Sequence, residues 1–148
     1  MGRAVCVLDG QNMRQGLSRD LGFAGADRGE NLRRSAEAAK LLNDAGLICL
    51  AAVLAPEEAT RQKAAEVIGR ERFLVVHLDA SVEVCRARDQ EGLYAKADSG
   101  EIANFPGVSA PYEAPKRADL VLNTAELPVD ECVKQVIALL GERKIAAS

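Results

Sequence analysis

The run Leu47-Ile48-Cys49-Leu50-Ala51-Ala52-Val53-Leu54 opens after Gly46 and is closed by Pro56. Consecutive apolar residues between turn formers read as a strand buried on both faces of a parallel sheet. Outward from it the same punctuation recurs. Residues 3–9 (RAVCVLD) stop at Gly10, residues 73–79 (FLVVHLD) follow a charged turn, and residues 118–123 (ADLVLN) form the last such run. Helical patterns lie between them. Residues 30–45 carry Leu32, Ala36, Ala39 and Leu42 at helical spacing, with Gly46 as the stop. Residues 57–68 carry Ala64, Ala65 and Ile68. Residues 81–87 have Ser81 as a cap, and residues 129–143 place Val133, Val136, Ile137 and Leu140 on one face. Strand alternating with helix predicts an α/β domain around a mainly parallel sheet. Residues 91–115 break the alternation. They are polar, hold Gly92, Gly100, Gly107, Pro106, Pro111 and Pro115, and read as a lid or binding loop.

A chain of 148 residues suits one domain, taken here as 1–148. Hydrophobic residues make up 48% and charged ones 28%, an ordinary globular balance. Aromatics are only 3%, which thins the case for stacking on single-stranded nucleic acid. The net charge of −3 gives no whole-surface attraction to nucleic acid or an anionic membrane. The longest strongly apolar run, 45–56, is too short to span a bilayer, and no secretion signal opens the chain. The expectation is a cytoplasmic protein with neither nucleic acid nor membrane as partner. Cys6, Cys49, Cys85 and Cys132 are scattered without a C-x-x-C pair, so no protein-held metal is expected and they read as small core residues. His77, the single histidine, lies in the third strand run, and any Ser-His-Asp or Cys-His chemistry would have to use it.

Ligands of parallel α/β sheets bind outside the carboxyl ends of the strands. Asp9 sits at such an end, before Gly10-Gln11-Asn12-Met13-Arg14. A carboxylate there can accept a proton or help hold a hydrated magnesium ion, and Asp before Gly is equally a helix cap or turn former. Arg14, Arg19, Arg28, Arg33 and Arg34 crowd the next stretch around Phe23. Converging guanidinium groups suit phosphate or sulfate, and an aromatic among them could cover a base. For Arg33 and Arg34 a solvated helix face is the competing reading.

Residues 8–17 (LDGQNMRQGL), 19–23 (RDLGF), 27–34 (DRGENLRR), 83–89 (EVCRARD), 92–94 (GLY), 100–102 (GEI), 104–105 (NF) and 111–115 (PYEAP) together resemble adenylylsulfate kinase, in the family's order from about residue 3 to 140. The resemblance implies a P-loop-kinase-like three-layer α/β fold. It also implies transfer of the γ-phosphoryl group of MgATP to the 3′-hydroxyl of adenosine 5′-phosphosulfate, giving 3′-phosphoadenosine 5′-phosphosulfate in sulfate activation. On that resemblance Asp9 matches the carboxylate at the acceptor hydroxyl. Arg14, Arg28 and Asn31 match the groups that hold the phosphosulfate, and Phe23 and Phe105 the aromatics around the acceptor adenine. Leu54 and Lys96 match backbone and lid contacts, and Arg88 a residue near the ATP adenine. Magnesium would accompany ATP, and a homodimer or a place within a larger sulfate-activating protein is implied.

The chain also departs from the family. The family's strand, G-x-x-x-x-G-K-[ST] loop and first helix precede the segment matching residue 3, and no such loop occurs in these 148 residues. That loop's N–H groups and lysine cradle nucleotide phosphates. The missing strand is central in this class, so its loss is expected to leave a gap or to pair 47–54 directly with 73–79. The family's D-G-D-N reads Asp9-Gly10-Gln11-Asn12, and its S-P-[FY]-[RK] reads Ala55-Pro56-Glu57-Glu58. Its lid K-G-L-Y-K-K-A-R reads Glu91-Gly92-Leu93-Tyr94-Ala95-Lys96-Ala97-Asp98, replacing basic residues with acidic ones. Retained residues favour the acceptor side. Two functions therefore stand open: phosphoryl transfer with a donor loop supplied from outside these residues, or a non-catalytic kinase-like module that binds an adenosine phosphosulfate nucleotide for regulation or dimerisation.

Overall fold

The computed structural model describes residues 4–143, and Arg3, the expected start of the first strand, lies outside them. The chain divides into two compact units, Met1–Phe73 and Leu74–Ser148.

In the first unit, β1 (Val5–Asp9) pairs in parallel with β2 (Ile48–Ala52), with Val7 opposite Leu50 and Asp9 opposite Ala52. Between them run α1 (Gly10–Gln15) and α2 (Gly25–Asp44), and α3 (Glu58–Ile68) follows β2. Leu32, Ala36 and Ala39 of α2 meet Ala64 and Ile68 of α3, backed by Leu8, Cys49, Val53 and Phe73. Small alanines at the crossing let the two helices approach closely, so this stripe buries as the spacing predicts. Gly46 adopts φ +86, the left-handed turn for which glycine pays no steric penalty, just beyond the last turn of α2.

In the second unit, β3 (Val76–Asp79) pairs in parallel with β4 (Leu120–Asn123). α4 (Val82–Arg88), α5 (Leu93–Asp98) and α6 (Val129–Glu142) complete it. Ser81 caps α4 as expected, its Oγ accepting from the Val84 N–H at 3.4 Å. His77 is a half-buried strand residue stacked on Tyr112, with ring centroids 6.3 Å apart. Leu122, 1% exposed, is the most deeply buried large side chain.

The parallel pairing and α/β alternation match the expectation; several details correct it. Among the described residues the ladders are β1–β2 and β3–β4, each within one unit. The strands are not buried on both faces. Val5 and Val7 of β1 are 53% and 62% exposed while Leu8 and Cys49 pack on the helices, because α2 and α3 cover only one face of this strand pair. Residues 91–115 are not wholly irregular, since α5 forms within them. Gly92 enters it at φ +70, a conformation that L side chains rarely adopt. On α6 the predicted face is divided: Val133 and Ile137 are largely exposed while Val136 and Leu140 are half-buried.

Candidate functional site

Asp9 closes β1 and caps α1, its Oδ1 accepting from the N–H groups of Gln11 at 2.9 Å and Asn12 at 3.0 Å. Both readings of this carboxylate thus meet in one residue: it is a cap, and it stands at the carboxyl ends of the parallel pair. Gly10 lies against the end of β2, where an added Cβ would meet the Ala52 carbonyl oxygen at 3.6 Å.

The connection from α1 to α2 is held by arginines. Arg14 donates from Nη1 to the carbonyls of Leu21 and Gly22, and its guanidinium carbon stands 4.6 Å from the centre of the Phe23 ring. Arg28 donates to the Phe23 carbonyl at 2.7 Å, and Asp27 accepts from the Gly22 N–H at 3.0 Å. Arg34 grips the carboxylate of Asp20 with both amino groups, at 2.6 and 2.8 Å, and donates to the Leu17 carbonyl at 2.9 Å. Its Nε reaches Glu30, which Arg33 also grips. These bonds, from Arg33 first and then Arg34, pull the Glu30 carboxyl down to about 2, and the bond from Arg34 lowers that of Asp20. The solvated-face reading fits Arg33, whereas Arg34 fastens the loop. Phe23 emerges from this frame 66% exposed, an aromatic face presented to solvent.

Gly25, Arg28, Gly29, Leu54, Ala55, Pro56, Glu57 and Thr60 line a small open pocket. Ala55 of this lining is held by Arg61, only 7% exposed, which donates to the Ala55 carbonyl at 2.6 Å and pairs with Glu58 at 2.7 Å. Asn31, one turn beyond Arg28, is 2% exposed, and its Oδ1 has no hydrogen-bond partner among the described residues. A buried acceptor of this kind costs about 1–3 kcal/mol unless a ligand or water completes it.

The first unit therefore brings Arg28 and Leu54 into one pocket and ties Arg14 and Phe23 to the same loop, with Asp9 at the strand ends. Phe105, Lys96 and Arg88 belong to the second unit. Phe105 meets Tyr94 edge-on with centroids 5.1 Å apart, and Lys96 is exposed on α5. Arg88 donates to the Thr124 carbonyl at 2.9 Å, which fastens the turn after β4. Arg86 pairs bidentately with Asp98 and lies 5.3 Å from the Tyr94 ring centre, holding α5 to α4. Sequence reasoning missed this cluster. The only signal was the acidic residue at the end of the lid. Among the described residues no three or more His, Cys, Asp or Glu gather where they could hold a metal ion.

Parallel strand pairs joined by helices, with a carboxylate at a strand end and a pocket lined by Arg28, fit an α/β protein of the P-loop-kinase class. The chain belongs to the adenylylsulfate kinase family: the family model described as Adenylylsulphate kinase matches residues 1–123. It is 50% identical over 139 residues to an adenylyl-sulfate kinase of Paraburkholderia xenovorans, covering 94% of this chain and 77% of that one. It is 53% identical over 139 residues to the bifunctional enzyme CysN/CysC of Rhodopirellula baltica, covering 94% of this chain but only 22% of that protein. The fold resembles the Mycobacterium tuberculosis APS kinase CysC solved in complex with AMPPNP and APS. There the TM-score is 0.86 and the identity 42%, over 94% of this chain and 80% of that one.

Proposed function

We propose that residues 1–148 act as one adenylylsulfate-kinase-like domain that supplies the acceptor side of phosphoryl transfer from ATP to the 3′-hydroxyl of adenosine 5′-phosphosulfate. The product is 3′-phosphoadenosine 5′-phosphosulfate. The observation that carries this reading is the arginine-framed loop: Arg14 and Arg28 fasten the backbone on which Phe23 stands, and Arg28 also lines the pocket with Leu54. In this reading Arg28, Arg14 and Asn31 receive the phosphosulfate, and Phe23 covers the adenine with Arg14 behind its ring. Phe105 adds the second aromatic, Lys96 the lid charge, and Arg88 a contact near the ATP adenine. Asp9 orients the acceptor hydroxyl and takes its proton.

A lone strand-end carboxylate fits magnesium that arrives on nucleotide phosphates and keeps most of its waters, rather than a resident ion. Asp9 would hold it, and the ion when bound neutralises charge on the transferring phosphoryl group. In the same reading the protein works in the cytoplasm as a homodimer or within a larger sulfate-activating protein; no helix among the described residues is long and apolar enough to cross a membrane.

The second reading, a module that binds the nucleotide without transferring phosphate, is favoured by the lid, where Glu91 and Asp98 stand at positions that are basic in the family. Calorimetry with adenosine 5′-phosphosulfate and, separately, with a non-hydrolysable ATP analogue divides the two. Acceptor binding without ATP binding favours the module, while magnesium-dependent product favours the enzyme. Arg28→Ala is expected to weaken acceptor binding by about 1.5–3 kcal/mol, the worth of a hydrogen bond to a charged group. An unchanged dissociation constant would remove Arg28 from the site.

A further inference from the structure

The pocket that holds Arg28 also holds a carboxylate. An added Cβ on Gly25 would stand 4.0 Å from both Arg28 Nη2 and Glu57 Oε1, so the opposite charges flank one small residue at the mouth of the pocket. The neighbouring acid, Glu58, is neutralised by the buried Arg61 at 2.7 Å. Glu57 instead accepts from the Thr60 hydroxyl at 3.2 Å, a neutral partner that leaves its charge in place. A negative charge in the lining of an anion pocket, here on an exposed side chain, does not raise its affinity for anions. It makes affinity depend on how many negative charges the entering group carries.

We infer that Glu57 is a specificity-determining residue that lets this pocket distinguish a phosphosulfate from a diphosphate. The inference rests on the acceptor reading above and deepens it. The two groups are close in shape, so contacts alone discriminate poorly between them. Their charge differs: a terminal sulfate carries one negative charge, whereas a terminal phosphate carries about −1.5 to −2 near neutral pH. Arg28 attracts both. Glu57 repels the second more, which is specificity by a built-in repulsion rather than by an extra contact.

The test compares adenosine 5′-phosphosulfate with ADP by calorimetry, on the full chain and on Glu57→Gln. Glutamine keeps the size of the side chain and can still accept from Thr60. Its ratio of ADP to phosphosulfate dissociation constants is expected to fall by about three- to tenfold, the effect of one charge several ångströms away at near-surface dielectric. Glu71→Gln, which removes the same charge from a side chain 78% exposed on a surface turn, is expected to leave the ratio unchanged. An unchanged ratio in Glu57→Gln, with both nucleotides still binding, overturns the role of Glu57 and leaves the acceptor site standing. An equal fall in Glu71→Gln overturns it as well, by showing a general charge effect. If neither nucleotide binds either the native chain or Glu57→Gln, the acceptor reading itself falls and takes this inference with it.

Discussion

Buried polarity is distributed unequally between the two units. Ser18, Asn31, Ser35 and Arg61, all below 9% exposed, belong to the first, whereas the buried residues of the second are Ala97, Leu122 and Leu139. In the first unit Ser35 donates to the Asn31 carbonyl at 2.8 Å and Arg61 to the Ala55 carbonyl at 2.6 Å, while Ser18 Oγ and Asn31 Oδ1 have no partner among the described residues. The second relies on an apolar plug between strand and helix. A ligand site for a charged group needs carbonyls and side chains at set positions before the ligand arrives, and buried polar bonds supply that rigidity in a way that greasy contact does not.

The largest expected effect comes from removing one member of each kind. Arg61→Ala leaves Glu58 without its main partner and the Ala55 carbonyl without its donor. Loss of one partner from a buried pair costs about 3–5 kcal/mol. Leu122→Ala opens a cavity at a residue 1% exposed and costs about 2–5 kcal/mol. Residue-resolved hydrogen exchange is expected to place the first loss in residues 4–73 and the second in residues 74–143. Loss of protection spread equally through both units by either variant would erase the contrast.

Much of this division was legible beforehand, and the exceptions have physical causes. The apolar stripes of α2 and α3 follow the helical period, so Leu32, Ala36, Ala39, Ala64 and Ile68 fall where expected. The start of α2 at Gly25 was hidden because Gly25 and Gly29 are poor helix formers that tertiary context overrides. α1 was hidden behind Gly10-Gln11-Asn12, which reads as a turn. It forms because Asp9 caps it and Met13 buries its inner face. The candidate site residues rest on motif resemblance and not on spacing. The bond from Arg34 to Asp20 spans 14 residues, and no local pattern encodes such a pairing. The exposure of Val5 and Val7 could not be read from composition, because an apolar run looks the same whether or not a second layer covers it.

Acid offers a gentler way to sharpen the comparison. In the first unit the carboxyls of Asp20, Glu30 and Asp44 are all held below their usual range by arginine or lysine donors. In the second, Glu83 and Asp98 are lowered, the former by backbone N–H and Ser81 and the latter by Arg86. A carboxyl with a depressed folded-state pKa stabilises fully above its unfolded value and loses that contribution as pH falls through the folded one. For Glu30 the window runs from 4.5 down to about 2. Amides of residues 17–23 are therefore expected to lose protection progressively across that window, in a profile that salt flattens because these groups are exposed. Arg34→Gln, by releasing Asp20 and leaving Glu30 to Arg33 alone, should shift the loss to higher pH. A loop whose protection ignores both pH and this substitution would show that Arg14 and Arg28 suffice to hold it.

The smallest expected effect concerns the lid. Asp98 stands where basic residues occur in the family, and its bidentate pairing with Arg86 fastens α5 by a surface contact. Exposed pairs contribute little to global stability, so Asp98→Asn should leave the unfolding midpoint nearly unchanged. Local opening is a separate quantity, set by the few contacts that hold one short helix. The amides of Lys96 and Ser99, which donate to the Gly92 and Ala95 carbonyls, are expected to exchange faster in Asp98→Asn than in the native chain. If they do not, α5 is held by the edge-on packing of Tyr94 on Phe105 instead. Phe105→Leu would then loosen it where Asp98→Asn had failed, and the second unit would prove apolar in its lid as well as in its core.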